Sequence, residues 1–363
     1  MDRRSFLKTS ALGGASAAAA GLAAPAVAQG APRTLTMVCS WPRGLAGVWD
    51  AVERFVDNVQ TMSGGSLAID ARAAGELVGG LEVFDAVTAG QADMYHAADY
   101  YFTGQHPAWA YYTTAPFGMT APEMMSWYYG MGGKDLHQQL GDVFGLHTSI
   151  AGQTGAQGGG WFRKEIKSVA DFQGLKFRMP GLGGEVVGKL GASVQVMAAG
   201  EIYQALSSGA LDGTEWVGPW SDEKLGLQEV CQFFYPAGFH EPGSALSVNT
   251  NLEVFDSLSP AEQRILDVAA AECHQFDYAL FIANNGPALG RLISGGTQIK
   301  EFSDDVWDAY GAASKEVLDQ YMDDEIFAET RAAYESAMGE ISGWTGRSDS
   351  VYTAQRNRVL ATL

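Results

Sequence analysis

The sequence predicts an α/β fold in two domains, on three observations. Strand-like alternation and helix-like periodicity succeed one another through the first two thirds of the chain. The last third carries long helical patterns opened by marked capping boxes. Of 363 residues, 335 remain beyond a leader at 1–28, enough for two domains.

The leader reads as a targeting segment. Arg3-Arg4-Ser5-Phe6-Leu7-Lys8 is a twin arginine with the run that follows it in such leaders; a mildly apolar stretch spans Ala11 to Ala24, and Ala26-Val27-Ala28 after Pro25 is a small-x-small cleavage site. The sequence therefore predicts export to the periplasm by the twin-arginine route, with a mature start at Gln29. The Ala-rich stretch is too short and too weakly apolar to span a bilayer, and no other uninterrupted apolar run reaches spanning length.

Leu35, Met37 and Cys39 alternate as a first strand, and Leu45, Val48, Trp49, Val52, Phe55 and Val59 follow at helical spacing. Ser63-Gly64-Gly65 stops that helix. Leu67, Ile69 and Ala71 alternate again, Leu81 to Ala89 reads as a helix, and Ala92 to Ala97 reads as a strand running into Tyr100-Tyr101. This rhythm predicts a largely parallel sheet. Thr120-Ala121-Pro122-Glu123 and Ser259-Pro260-Ala261-Glu262 are capping boxes, the second opening a helix that extends to about Ala283. Ser303 opens a further helical region with Val306, Trp307, Tyr310, Val317 and Leu318. No low-complexity linker appears, so crossing strands or a long helix must join the domains.

Composition is that of a packed globular protein, with 47% hydrophobic and 18% charged residues. The leader takes three basic residues and one acidic residue from a formal charge of −19, leaving −21. That excludes a generic nucleic-acid binder and argues against an anionic membrane surface. An anion binds such a protein only where a local positive group overrides the field. Cys39, Cys231 and Cys273 make no metal-ligand spacing; one disulfide is open, with no pairing readable.

Three segments place polar groups where a core would not want them. Gly152-Gln153-Thr154-Gly155-Ala156-Gln157-Gly158-Gly159-Gly160 lets a ligand approach the backbone, and the Gln153 and Gln157 amides suit a carboxylate or hydroxyl; a plain interdomain crossing reads equally well. It lacks the phosphate-loop signatures. In Leu175-Lys176-Phe177-Arg178-Met179-Pro180-Gly181 the apolar residues alternate, and Arg178 stands at the strand end, where α/β sheets bind ligands. Its guanidinium suits a carboxylate, against the alternative of a surface ion pair. In Thr214-Glu215-Trp216-Val217-Gly218-Pro219 a carboxylate among apolar residues needs a partner, either a buried arginine or a metal. Glu241, in Phe239-His240-Glu241-Pro242-Gly243, offers another. Gln157, Glu215 and Glu241 supply the oxygens that sodium or calcium prefers. The six histidines show no zinc-ligand spacing. Glu215 with Glu241 could also serve as a glycosidase-like pair.

At these segments the chain resembles the TRAP transporter solute-binding proteins of the DctP type, and within them the subgroup that binds 2-oxo acids such as pyruvate. The likeness lies in Gly159-Gly160-Trp161-Phe162-Arg163, Gly174 to Arg178, Ile202 to Leu206, and above all Asp212 to Trp220 with Asp222 to Gly226; it extends over essentially the whole mature chain, including Ala74 to Val78 and Ser259-Pro260. The resemblance implies a two-domain periplasmic-binding-protein-like fold closing on its ligand across a hinge cleft. Domain I would span 29–150, completed by part of 245–300, and domain II 151–244; long helices at 259–363 would bridge them and offer a dimer contact. It implies that Arg178 pairs a small organic acid, with Gln153, Gln157, Trp216, Tyr100 and Tyr101 around it. A metal cation, sodium or calcium, would bridge ligand and protein through Gln157, Glu215, the Trp216 backbone and Glu241. Gln153 departs from the Asn of close relatives, so a 2-hydroxy acid such as lactate stays open beside pyruvate. TRAP membrane subunits and a second copy of the chain are the implied partners. Two other readings stand beside this receptor: an exported carboxylate-pair hydrolase, and a binding protein that serves a sensor.

Overall fold

The computed structural model describes residues 32–362, so the twin-arginine segment lies outside the described residues. Among the described residues eleven strands form two mixed sheets: β1 (Arg33–Cys39), β2 (Leu67–Arg72), β3 (Met94–Ala97), β4 (Leu146–Gln153), β5 (Gly160–Phe162), β6 (Lys176–Arg178), β7 (Ser193–Gln195), β8 (Gly213–Thr214), β9 (Phe233–Tyr235), β10 (Ala245–Asn251) and β11 (Gln298–Ile299). The first sheet runs β2-β1-β3-β10-β4, and the second β11-β9-β5-β8-β6-β7.

Parallel pairing holds for β2-β1-β3, but β10 lies antiparallel between β3 and β4. In the second sheet β5 lies antiparallel between β8 and β9. The expected largely parallel sheet is thus only part of each sheet. The physical reason is that β10 returns from the other sheet instead of through a helical crossover, and only a parallel neighbour demands such a crossover. The chain therefore passes between the sheets at β4-to-β5 and again before β10.

Each element follows from its apolar face. The helix Val48–Met62 buries Val48, Trp49, Val52, Phe55 and Val59 along one stripe. The helix Pro260–Ser294 starts at the predicted Ser259–Glu262 box, where the Ser259 hydroxyl accepts from the Glu262 amide at 3.3 Å. It runs past Ala283, through Pro287, for 35 residues. Proline removes one helical donor, yet buried Ala288 and Leu292 keep the next turns on the body of the protein. Along its course Phe281 packs on Trp220, and Asn285 accepts from the Trp220 amide at 3.1 Å. Helices Asp304–Asp319 and Glu325–Thr345 complete the packing, and Asp349–Leu360 buries no residue. The three cysteines are buried and unpaired, which removes the disulfide left open above.

Tyr100 and Tyr101 do not continue β3. They sit in the 3-10 turn Asp99–Phe102, which a fully buried carboxylate pins down. Asp99 accepts from Ser247 Oγ at 2.6 Å, Asn249 Nδ2 at 3.0 Å and His137 Nε2 at 3.1 Å. Burial lowers the His137 pKa, so the ring stays neutral and its Nδ1 is left to the Tyr128 hydroxyl at 3.2 Å. The Tyr95 hydroxyl also donates to Asp99, at 3.3 Å, so Asp99→Ala strands four buried donors and is expected to cost about 3 kcal/mol in urea unfolding, against about 1 kcal/mol for the exposed cap Ser259→Ala.

Candidate functional site

The β6 strand turns Lys176 to solvent and buries Phe177 and Arg178. Pro180 and Gly181, the latter at φ +61°, end the strand and start the next helix. Parallel pairing sets Arg178 opposite Thr214, so the residue after β8 reaches the guanidinium. That residue is Glu215: its carboxylate pairs with Arg178 Nη1, and its carbonyl accepts from the same nitrogen at 3.3 Å. Both side chains are 0% exposed. Arg178 also donates to the Met197 carbonyl at 3.3 Å and to the Tyr101 hydroxyl at 3.5 Å, and lies 5.4 Å from the centre of the Trp216 ring.

A second group of buried polar atoms borders this pair. His240 Nε2 lies 3.6 Å from Glu215 Oε2 and 3.8 Å from Glu241 Oε1, and ligand atoms of the three residues all fall within 4.8 Å of one another. Glu215 Oε2, Glu241 Oε2 and Gln157 Oε1 are buried and accept no hydrogen bond from protein. The Gln157 amide donates to the Glu241 carbonyl at 2.9 Å, which ties the glycine-rich crossing to the Glu241 turn. Burial first, then the nearby Glu215 charge, raises the Glu241 pKa to about 7. Unpaired buried carboxylates are costly, and three inward oxygens form a donor set that a hard cation fits.

The other sheet supplies an aromatic wall. Tyr100 packs over Gly181, and burial pushes the Tyr101 hydroxyl up to about 12, so it stays protonated beside Arg178. Trp41, Tyr100, Tyr101, Gln157 and Trp216 line one small cavity of about 10 Å³, roughly one water in volume, as a closed cleft would leave. On the far side of Trp216, buried Asp222 accepts from the Val217 and Gly218 amides and from Trp161 Nε1 at 2.7 Å, fixing the loop after β8.

Most of the predicted residues thus meet. Arg178 meets Glu215, Trp216 and Tyr101, Gln157 and Tyr100 line the small cavity with Trp216 and Tyr101, and Glu241 faces Glu215. Gln153 stands apart from Arg178: its Oε1 accepts from the Gly155 amide at 3.1 Å, its backbone N–H donates to buried Asp277 at 3.0 Å, and its buried Nε2 has no protein acceptor. Two residues escaped the sequence reading. His240 lacked any ligand spacing, although its place beside Glu241 was a signal. Trp41 stands just beyond the carboxyl end of β1, where the strand-end rule that singled out Arg178 applies equally.

The comparisons agree with this architecture. Residues 46–325 match the family model for bacterial extracellular solute-binding proteins, family 7, or DctP. A monocarboxylate 2-oxoacid-binding periplasmic protein from a Nostoc species is 39% identical over 357 residues, covering 97% of this chain and 98% of its own. A TRAP transporter solute-binding protein from Bordetella bronchiseptica superposes with a TM-score of 0.90 at 30% identity, covering 92% of this chain and 99% of the other; it is a dimer with calcium and picolinate bound in one site. A TRAP periplasmic solute-binding protein from Pseudoalteromonas atlantica, with sodium and pyruvate, gives 0.86 at 34% identity over 89% of this chain and 99% of its own. A third, from Colwellia psychrerythraea and with the same figures, holds calcium and pyruvate. With its fold and most of its length matched, this chain belongs to family 7 of the bacterial extracellular solute-binding proteins, the DctP family.

Proposed function

We propose that this chain is the periplasmic receptor of a TRAP transporter, exported on its twin-arginine leader. It binds a small monocarboxylate, either a 2-oxo acid such as pyruvate or a 2-hydroxy acid such as lactate, together with sodium or calcium. The closed form is the one it presents to the membrane subunits. The observation that carries this reading is the buried Arg178–Glu215 pair beside three inward oxygens that have no protein donor.

Charge balance explains why a cation is needed. Arg178 supplies one positive charge, while Glu215, an ionised Glu241 and the ligand supply three negative ones. The excess of two suits calcium. With Glu241 protonated, which a pKa of about 7 permits near neutrality, the excess is one and suits sodium. Without a cation, a ligand carboxylate entering this buried space beside Glu215 and Glu241 would meet uncompensated charge. The roles follow from position. Arg178 orients the ligand carboxylate through its planar donors, and the Tyr101 hydroxyl steadies the arginine. Gln157, Glu215, Glu241 and the Trp216 backbone would hold the cation, which supplies the positive charge that a carbonyl or hydroxyl oxygen next to the carboxylate needs. Tyr100 and Tyr101 cover the ligand from the first sheet. Closure is driven by contacts that exist only in the closed form. The half between β5 and β9 and the half around β1–β4 and β10 act as the two jaws, with 259–363 bridging them. A relative 39% identical to this chain is a 2-oxoacid-binding periplasmic protein, and the matching family is one of solute-binding proteins, which supports a receptor.

Arg178→Ala is expected to weaken binding of pyruvate or lactate about 100-fold or more by calorimetry, with folding checked by circular dichroism; near-normal affinity would sink the assignment. Binding measured in chelated, sodium-free buffer should fall about tenfold or more, and either ion should restore it. Glu241→Gln, which deletes one negative charge, should weaken calcium-supported binding about tenfold and spare sodium-supported binding. We propose further that the chain is a homodimer joined through its last helices, because Trp344 and Tyr352 are 70% and 66% exposed there. Deleting 349–363 should convert a dimer to a monomer in sedimentation; an unchanged mass would refute that contact.

A further inference from the structure

The geometry points to Trp41 as the residue that sets the size limit for the ligand's side chain, with His96 as its positioning residue. This inference rests on the monocarboxylate reading and adds to it which members of that class are accepted.

Trp41 stands at the carboxyl end of β1 and is 2% exposed. Its carbonyl accepts from the Ala74 amide at 2.9 Å, which holds the backbone. Its indole Nε1 donates to His96 Nδ1 at 2.7 Å, which holds the ring. His96, on β3, is 0% exposed and pairs in register with Cys39 of β1. Because Nδ1 accepts, the ring proton must sit on Nε2. Burial lowers the His96 pKa to about 4, so this neutral acceptor persists throughout the neutral range.

The Trp41 ring meets Trp216 edge-on at 6.3 Å and Tyr101 at 6.1 Å. Those are the two rings in contact with Arg178. A carboxylate held by Arg178 therefore has Trp216 beside it and Trp41 one ring further on. Val48 and Leu246 line the same cavity, so the apolar remainder of the ligand lodges against Trp41 and these two side chains. These side chains leave only about 10 Å³ between them, so each added methylene must displace one of them. A wall fixed at both backbone and indole yields less than a free side chain, and a pocket of this kind discriminates one methylene by about tenfold or more. Among the described residues lining this cavity the other rings from that half are Tyr100 and Tyr101, and the Tyr101 hydroxyl is taken up by the arginine.

The test is a calorimetric series of straight-chain 2-oxo and 2-hydroxy acids of roughly three to six carbons, run on the full mature chain with sodium and with calcium. Wild type should lose about tenfold or more for each methylene beyond its best ligand. Trp41→Ala should flatten or invert that order, with the longest acids gaining about tenfold relative to the shortest. Trp41→Phe, which keeps an apolar ring, decides the matter should the alanine variant fail to fold. His96→Leu should flatten the order in part, and His96→Asn, whose amide oxygen can still accept from the indole, should restore it. A purely structural role for either residue would lower the melting temperature and leave the order by chain length intact. A folded Trp41→Phe with the wild-type order overturns the size limit, and a folded His96→Leu with the wild-type order overturns the positioning role. Failure of wild type to bind any member would overturn the monocarboxylate reading together with this inference.

Discussion

A positive charge is buried here in a strongly acidic protein, and the remaining geometry answers to it. Arg178 is fully enclosed, and a lone enclosed guanidinium would be prohibitively costly. The register of β6 against β8 supplies Glu215 as its partner, and Tyr101 and the Met197 carbonyl take up further donors. Such a pair contributes little net stability, since desolvation offsets most of the attraction. Its worth lies in what it leaves unfinished. Glu215 keeps one carboxylate oxygen unpaired toward His240 and Glu241, so the arginine is neutralised while the carboxylates around it are not. An acidic molecule thereby holds a site in which anion and cation together are better placed than either alone.

The frame that holds this site is divided between two sheets, and the connections are short where the site needs precision. The glycine-rich crossing after β4 is tied to the Glu241 turn through the Gln157 amide and to the β8 loop through the Gly158 amide. The long helix lies along both jaws: Asp277 accepts from Gln153 at the end of β4, and Asn285 accepts from Trp220 beyond β8. Phe281 sits between Gly47 of the first jaw and Trp220 of the second. These contacts join both jaws to the long helix, and the bond from Arg178 to the Tyr101 hydroxyl fixes the Tyr100–Tyr101 turn over the arginine. The Asp99 network performs the same service one residue upstream, exchanging a buried charge for a fixed turn.

Much of the architecture was legible in the chain. The alternation of Leu35, Met37 and Cys39, the stripe from Val48 to Val59 and the two capping boxes all became the elements their periodicity implies. The site was legible in part. Arg178 stood at a strand end, and Glu215 in an apolar setting required a cation. His240 was missed because Glu215, the partner that completes the cluster with Glu241, lies 25 residues earlier in the chain, and Trp41 because a lone tryptophan after a strand has the appearance of core. The overextended reading of β3 through Tyr100 failed for a definite reason: the turn there depends on Ser247 and Asn249, about 150 residues later in the chain.

The sequence by itself therefore determined the residue types and the local elements: an acidic α/β chain with one arginine at a strand end and carboxylates in apolar surroundings. Local periodicity and side-chain chemistry suffice for that, because they act over a few residues. Only the tertiary structure decided the strand order with β10 antiparallel between β3 and β4, the course of the long helix through Pro287, and the convergence of Glu215, His240 and Glu241. Those depend on contacts between residues far apart in the chain, where burial and pairing outweigh local preference.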